Sequence, residues 1–217
     1  MKPTACLLAV SLLAAPALAA APPPTLMRIA GIPETAAPLS NSVLVIIDAQ
    51  REYVDGTLPL NGIGESLTEA SKLLARARAA GTPVVHVLHR GGAALFDPNG
   101  PYFPEVAPLA ARPGETVVEK TLPNAFAGTG LQAALTRTGR TNLIVVGYMT
   151  HMCVSSTVRA ALDLGYRTTV VAGATATRDL PDGRGGILPA QAIQAASLAA
   201  LADRFATVVQ NAADIPD

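Results

Sequence analysis

The sequence carries no excess of charge of either sign, which argues against a polyanionic partner. Its 217 residues include 16 basic and 16 acidic side chains. Proteins that bind nucleic acid or an anionic membrane surface usually carry an excess of Lys and Arg. We therefore expect a small-molecule substrate and no nucleic-acid partner. The 50% hydrophobic content suffices for a full core, and the length favours one folded domain.

The sequence also lacks an apolar run long enough to span a membrane. Residues 1–21 have Lys2, then an uncharged run from Ala5 to Ala15, then Ala17-Leu18-Ala19. This is the layout of a secretory signal peptide, whereas a membrane-spanning helix needs about 20 apolar residues. We expect cleavage at the end of this segment and no membrane attachment afterwards. The alternative is an apolar N-terminal helix of the fold.

Cysteine is nearly absent, since Cys6 and Cys153 are the only two. Cys6 lies inside the predicted signal peptide, so the mature chain would retain Cys153 alone and could form no intramolecular disulfide. The protein is expected in the periplasm or outside the cell. A lone thiol in an oxidising compartment is a liability unless it is sequestered, paired between chains or used in chemistry.

Short apolar runs alternate with helical stretches along residues 41–217, after a Pro-rich N-terminal arm at residues 22–40. The runs predict strands, and glycine follows three of the helical stretches, as is common after a helix end. This alternation predicts an α/β fold with a parallel sheet between helices. The strands are expected at 43–47, 83–88, 116–118, 143–146, 168–171 and 206–209, and the helices at 65–80, 125–138, 154–164 and 189–203. The Gly- and Pro-rich interval 90–113 predicts a long loop that shapes a pocket.

Cys153 follows a buried strand and comes at or just before the start of a predicted helix. The helix dipole and the free N–H groups there favour a thiolate and can stabilise an oxyanion, so Cys153 is a candidate nucleophile. The alternative is a small buried apolar side chain, which is what a free cysteine usually is.

Asp48 and Lys120 each follow an apolar run, at Val43–Ile47 and at Val117–Glu119. In a parallel sheet both would lie at the carboxyl edge, where ligands bind. A carboxylate to accept the thiol proton and an ammonium to stabilise the thiolate are what a cysteine nucleophile needs. The alternatives are a capping aspartate and a solvated surface lysine.

These motifs, taken together, resemble the isochorismatase-like cysteine hydrolases, and the pattern looks closest to the streptothricin-hydrolase-like and amidohydrolase members. The resemblance covers residues 42–211 and rests on Val45–Gln50, on Glu119-Lys120 with Asn124-Ala125-Phe126, and on Gly147–Val154 with Thr157 and Ala160. It implies a Rossmann-like three-layer α/β/α fold with five or six mostly parallel strands. It also implies that Asp48, Lys120 and Cys153 form a catalytic triad.

The resemblance further implies a cis peptide bond between Tyr148 and Met149, with the N–H groups of Met149 and Cys153 holding an oxyanion. Candidate substrate-binding residues are Gln50, Tyr53, His89, Phe126, Tyr148 and His151. No cofactor is expected. No metal site is expected either, because the stretch 51–64 lacks the histidine that metal-binding relatives carry. Arg51, Arg90 and Arg178 are either carboxylate-binding or solvated.

The expected activity is hydrolysis of a C–N bond in a small amide through a Cys153 thioester. One alternative is ether hydrolysis of the isochorismatase type, and another is a catalytically silent exported binding protein. The helices at 154–164 and 189–202 are rich in Ala, Ser and Val, which allows close packing against a second subunit. Together with the oligomers of relatives, this predicts a homo-oligomer, the alternative being helices that cover the monomer's own sheet.

Overall fold

The computed structural model of the protein describes residues 21–217. The predicted signal peptide therefore lies outside the described residues, except for Ala21. The strands are β1 Ser42–Ile47, β2 Val84–His89, β3 Thr116–Lys120, β4 Asn142–Tyr148, β5 Arg167–Ala176, β6 Leu180–Pro181, β7 Ile187–Leu188 and β8 Ala206–Val209. The helices are α1 Leu26–Ile29, α2 Ile63–Ala79, α3 Leu131–Arg137, α4 Ser155–Asp163 and α5 Ala190–Arg204, and a π-helical turn spans Thr150–Val154.

Six of the strands form one sheet in the order β3-β2-β1-β4-β5-β8, and every neighbouring pair in it is parallel. The two short strands β6 and β7 form a separate antiparallel hairpin. The sheet confirms the predicted α/β class and the predicted number of strands. It also brings the carboxyl ends of β3, β2, β1 and β4 side by side at one edge.

The two faces of β1 carry the two halves of the core. Leu44 and Ile46 pack with Leu73 and Leu74 of α2 on one face. The other face holds Val43, Val45 and Ile47, together with residues of α3, α4 and α5. Because successive strand residues point to opposite faces, a strand covered on both sides must be apolar throughout. Each fully buried aliphatic side chain of this kind contributes about 1.5–3 kcal/mol.

Gly147 lets β4 lie close against β1 at the edge that carries the site. A Cβ built at Gly147 would lie 2.0 Å from the backbone oxygen of Ile47, and the residue has a φ of +112°. Only glycine combines this φ with so close an approach. The pairing of β4 with β5 also shifts register between Val145 and Gly147.

The predicted helix at 125–138 was too long at its start, because α3 begins at Leu131. Gly128 takes a φ of +69°, which is incompatible with a continuous right-handed helix, and the Thr129 hydroxyl accepts a hydrogen bond from the Leu131 N–H. The N-terminal arm contains the short helix α1, which the sequence did not predict. The Leu26 N–H of α1 donates to Asp203 of α5 at 2.9 Å. None of the helices among residues 21–217 is long and apolar enough to cross a membrane.

Candidate active site

Asp48 follows β1 directly and is completely buried. It is one of two non-glycine residues with a positive φ among the described residues, at +50°; the other is Phe96, at +55°. Such a conformation is uncommon outside glycine and tends to persist where the surrounding structure or a function requires it. Both residues belong to the region of the predicted site.

Lys120 is the last residue of β3, and its side chain is fully buried against three polar groups. Its Nζ lies 2.7 Å from Oδ2 of Asp48, 2.9 Å from Nδ1 of His89 and 3.3 Å from Sγ of Cys153. The partners come from the ends of neighbouring strands: His89 ends β2, Asp48 follows β1 and Cys153 follows β4. The structure thus brings the three predicted triad residues together, with His89 as a fourth member.

Cys153 lies within the π-helical turn Thr150–Val154 that leads into α4. The sequence placed it at or just before a regular helix start, so the local conformation was predicted only in part. π-Helical turns are rare and are frequent at functional sites. The thiol is buried, with 3% of the residue exposed.

Burial is the main influence on the acid–base state of Asp48 and Cys153. Burial, and next the nearby charge of Asp48, raise the pKa of Cys153 to about 12. Burial raises the pKa of Asp48 to about 6, although the Lys120 ammonium opposes this rise. Near neutral pH, Asp48 is therefore the ionised member and Cys153 a thiol, which is the state from which the predicted proton transfer to Asp48 starts; the lowering of the thiol pKa expected from the helix start is outweighed by burial. The arrangement is that of a general base beside a nucleophile.

His89 is held neutral by its surroundings. Burial first, and then the charge of Lys120, lower its pKa to about 4. Because Nδ1 faces the Lys120 ammonium at 2.9 Å, Nδ1 must accept that hydrogen bond. The proton of the imidazole is then on Nε2, which makes this atom a hydrogen-bond donor.

A cleft of about 1030 Å³, counted to its open mouth, reaches Cys153. Residues 91–96 of the long loop form part of its wall, so the predicted role of the interval 90–113 in shaping a pocket is confirmed. The other lining residues are Tyr53, Leu58, His89, Pro123, Met149, Met152, Cys153 and Arg178. The lining is largely apolar, with few polar groups, which is typical of a small-molecule site.

The peptide bond between Tyr148 and Met149 is cis, as the resemblance implies. Met149 and Cys153 both line the cleft. The role of their N–H groups as oxyanion donors remains a prediction, and the position of the two residues is compatible with it.

Two of the six candidate substrate-binding residues, Tyr53 and His89, line the cleft. The other four are not among its lining residues. Gln50 is buried and bonds the backbone of His89 in both directions, which fixes the end of β2. The Tyr148 hydroxyl is within hydrogen-bond distance of Ser66, His151 contacts Thr177 and Phe126 stacks on Tyr166.

The sequence did not single out Glu52, which binds the backbone of Phe96 in the cleft wall. Glu52 is 3% exposed, and its carboxylate accepts hydrogen bonds from the backbone N–H groups of Thr57 and Phe96. Its position four residues after Asp48, in a segment next to the site, was the available signal. Glu52 thereby ties the long loop to the segment that follows β1.

Asp48, His89 and Cys153 form the one group within residues 21–217 whose geometry would suit a metal ion, with their ligand atoms within 4.8 Å of one another. The Lys120 ammonium already lies among these atoms. A cation in the same place would meet this positive charge at short range. The donor set therefore fits the ammonium and not a metal, and the expected absence of a metal remains a prediction.

Comparison with known proteins identifies relatives along most of the chain. The family described as the isochorismatase domain matches residues 42–213. A secreted isochorismatase effector of Verticillium dahliae is 40% identical, covering 83% of this chain and 94% of its own. A streptothricin hydrolase of Streptomyces noursei is 36% identical over 85% of this chain and 74% of its own.

The same comparison extends to more distant relatives and to solved structures. A ureidoacrylate amidohydrolase of Variovorax paradoxus is 27% identical over 74% of this chain and 78% of its own. The crystal structure of an isochorismatase from Pseudomonas putida superposes with a TM-score of 0.85 at 43% identity, covering 89% of this chain and 99% of that one. The three-layer fold is thus shared with solved structures.

Proposed function

The chain belongs to the isochorismatase family and is a hydrolase of that family, and we propose that it cleaves a C–N amide bond of a small molecule with Cys153 as nucleophile. The observation that carries the proposal is the position of the Lys120 ammonium, 2.7 Å from Asp48 and 3.3 Å from the thiol. It joins a base to a nucleophile at the floor of a cleft. The similarity to a protein named amidohydrolase supports the C–N bond as target.

In the first half of the reaction, Asp48 accepts the thiol proton as Cys153 sulfur attacks the carbonyl carbon of the amide. The N–H groups of Met149 and Cys153 hold the negative charge that forms on the carbonyl oxygen. When the C–N bond breaks, the protonated Asp48 gives its proton to the nitrogen. Ammonia or an amine leaves, and the acyl group remains on Cys153 as a thioester.

In the second half, Asp48 is again a carboxylate and accepts a proton from a water molecule that attacks the thioester. The carbon–sulfur bond breaks, the sulfur regains the proton from Asp48, and a carboxylic acid is released. Lys120 does not exchange a proton in this scheme. Its charge offsets the burial of Asp48 and stabilises the transient thiolate.

The proposal is tested by measuring ammonia or amine release from a panel of small amides with the purified protein. Hydrolysis by the wild type, absent in Cys153→Ala, is the expected result. Activity confined to isochorismate would favour ether hydrolysis, for which the similarity to a protein named isochorismatase effector is the specific support. An inert thiol and no hydrolysis at all would favour a silent binding protein.

We also propose export and self-association. The similarity to a relative named as secreted supports export after cleavage near Ala19–Ala21. The N-terminal sequence of protein recovered outside the cytoplasm would test it. Self-association into a homo-oligomer is supported by the small side chains of α4 and α5. Light scattering of the purified protein measures the mass, and a monomer at micromolar concentration would contradict the proposal.

A further inference from the structure

Arg178 lines the cleft that leads to Cys153. Its Nη1 donates to the backbone oxygen of Asp179 at 3.1 Å, while its buried Nε has no hydrogen-bond partner among the residues that the structure describes. Within residues 21–217, no carboxylate oxygen lies within 4.0 Å of this side chain. Buried N–H groups are nearly always paired, so an unpaired one next to a cleft points to an acceptor that binds there.

The other two arginines that the sequence left open are already neutralised. Arg51 forms an ion pair with Asp55 and donates to a loop carbonyl. Arg90 is paired with Glu119 at 2.6 Å, on the exposed surface. Arg178 therefore differs from both, because it lines the cleft and forms no ion pair with a carboxylate of residues 21–217.

A second donor reaches the same cleft from His89. Its Nδ1 is engaged with Lys120, so its Nε2 carries the proton. Nε2 makes no hydrogen bond to the described residues and is not among their buried unpaired atoms, so solvent in the cleft reaches it. The acidic side chain nearest the nucleophile, Asp48, is completely buried and paired with Lys120. The cleft is thus lined by a cation, Arg178, and by a neutral donor, the Nε2–H of His89, and each can donate a hydrogen bond to a bound acceptor.

We propose that Arg178 binds a carboxylate of the substrate, with His89 Nε2 as a second donor, so that the amide cleaved belongs to a small anionic molecule. The amide of a dicarboxylic acid is the simplest member of this class. The planar guanidinium fork matches the two oxygens of a carboxylate, and one positive charge balances one negative charge. A phosphate dianion would leave a charge unbalanced. This inference rests on the proposed amide hydrolysis and names its substrate class.

The carboxylate site has a test that needs no hydrolysis. Iodoacetate and iodoacetamide alkylate the same thiol and differ mainly in the carboxylate, so the ratio of their rates on Cys153 cancels changes in thiol reactivity. We expect Arg178→Met to lower the iodoacetate-to-iodoacetamide ratio about tenfold or more, as loss of a charge-assisted contact implies. Arg178→Lys keeps the charge without the fork and should lower it less, and His89→Phe should also lower it less.

Arg90→Met is the matched control, because it removes the same charge from an exposed pair outside the cleft. It should leave the ratio within about twofold, since exposed charges are screened by solvent. A ratio that Arg178→Met leaves unchanged, or that Arg90→Met lowers equally, would overturn the carboxylate site. Thermal unfolding of each variant shows whether the fold is retained, and Arg178→Lys serves if Arg178→Met is unstable.

Hydrolysis of matched amides then separates the two proposals. Succinamate carries a carboxylate, and 4-oxopentanamide replaces it with a neutral acetyl group of similar size. The wild type should prefer succinamate, and Arg178→Met should lose about tenfold or more of kcat/KM on succinamate alone, mostly through KM. Hydrolysis of both amides without preference would overturn the inference and leave the amidase standing. A lowered alkylation ratio with no amide hydrolysed would overturn the amidase and leave the carboxylate site standing.

Discussion

The protein contains two clusters of ionisable side chains that meet at β2, through His89 in one and His86 in the other, and they differ in how completely their polar atoms are paired. The first, which we call the Cys153 cluster, consists of Asp48, Lys120, His89 and Cys153. The second, which we call the His86 cluster, consists of His86, Arg78, Glu105 and Glu115. In that cluster Nδ1 of His86 lies 2.6 Å from Glu105 and Nε2 lies 3.1 Å from Glu115.

The carboxylates of the His86 cluster have further partners. Glu115 accepts two hydrogen bonds from Arg78, both at 2.8 Å, and one from the Arg112 N–H. Glu105 accepts one from the Ala111 N–H. Asp48, in contrast, receives no backbone hydrogen bond from the described residues and depends on Lys120 and the thiol.

The pKa values of the two carboxylates move in opposite directions for this reason. Hydrogen bonds from Arg78, more than any other cause, lower the pKa of Glu115 to about 2. Burial raises the pKa of Asp48 to about 6. A well-paired buried carboxylate stabilises the fold, whereas a poorly paired one is a better proton acceptor. This difference supports the proposed role of the Cys153 cluster in chemistry, whereas the paired carboxylates of the His86 cluster hold residues 105–115 against α2 and β2.

The largest expected effect is the loss of activity in Cys153→Ala. Removal of the nucleophile should reduce kcat by on the order of 10⁴-fold or more, because no other group can form the thioester. The melting temperature should change by only a few degrees, since alanine leaves a small cavity. Amide hydrolysis and thermal unfolding measure the two effects. Retention of more than about one per cent of the activity would break the assignment.

Asp48→Asn should follow in size, with a loss of about 10²–10⁴-fold in kcat/KM, which is the usual contribution of a general base. The amide keeps the size of the carboxyl but cannot accept the thiol proton. Steady-state hydrolysis at saturating and limiting substrate measures the loss. Glu119→Gln, which removes an exposed carboxylate next to Lys120, is the control and should stay within about twofold of the wild type.

The sequence alone predicted that Asp48, Lys120 and Cys153 lie together, because each follows a recognisable strand. The apolar runs before Asp48 and Lys120 mark strand ends, and strand alternation places such ends at one edge of a parallel sheet. That Cys153 joins them follows from the strand before it. The contact of His89 with Lys120 could not be predicted, because it depends on the side-chain geometry of two adjacent strand ends.

The direction of the pKa shift of Cys153 could not be predicted from the sequence, for a different reason. The position of Cys153 near a helix start predicts a lowered pKa, but the depth of burial and the distance to Asp48 decide the sign, and both come from tertiary packing. That Arg178 lines the cleft likewise depends on tertiary packing, which places it in the same cleft as residues 91–96 of the long loop. The start of α3 was misplaced because Ala125 and Phe126 look helical, while Gly128 breaks the helix.

A third prediction concerns the stability that the His86 cluster provides. Glu115→Gln should lower the free energy of unfolding by roughly 1–3 kcal/mol at pH 7, because it loses charge-assisted hydrogen bonds from Arg78 that lower the pKa of Glu115, although solvent partly screens them. Chemical denaturation measures it, and the kcat of the folded variant should stay within about twofold. Glu119→Gln at the exposed pair with Arg90 should cost under about 1 kcal/mol. Equal losses in the two variants would remove the distinction between the clusters.

The smallest expected effect is the difference between Asp48 and Glu115 in how activity and stability depend on pH. Because Asp48 must be ionised to act as a base, kcat/KM should rise with pH and reach half its plateau near pH 6. The contributions of Asp48 and Glu115 to the free energy of unfolding change with pH in opposite directions. Asp48 contributes stability below its unfolded pKa of about 3.9, and this is lost as pH rises through about 6; Glu115 contributes stability above about pH 4.5, and this is lost as pH falls toward 2.

We therefore plot the free energy of unfolding of each variant against pH between 3 and 7. Relative to the wild type, the Asp48→Asn profile should be altered near pH 4–6 and the Glu115→Gln profile below about pH 4.5. Identical profiles for the two variants would contradict the assignment.

The central claim is that Cys153 carries the acyl group of an amide during turnover. The most direct measurement is the intact mass of the protein after rapid acid quenching of a reaction with a hydrolysed amide. The account predicts a mass increase equal to the acyl group, mapped to Cys153 by peptide analysis, that decays as product forms and is absent from Cys153→Ala. Continued release of ammonia with no acyl group on Cys153 at any time, or hydrolysis by Cys153→Ala at the wild-type rate, would contradict it.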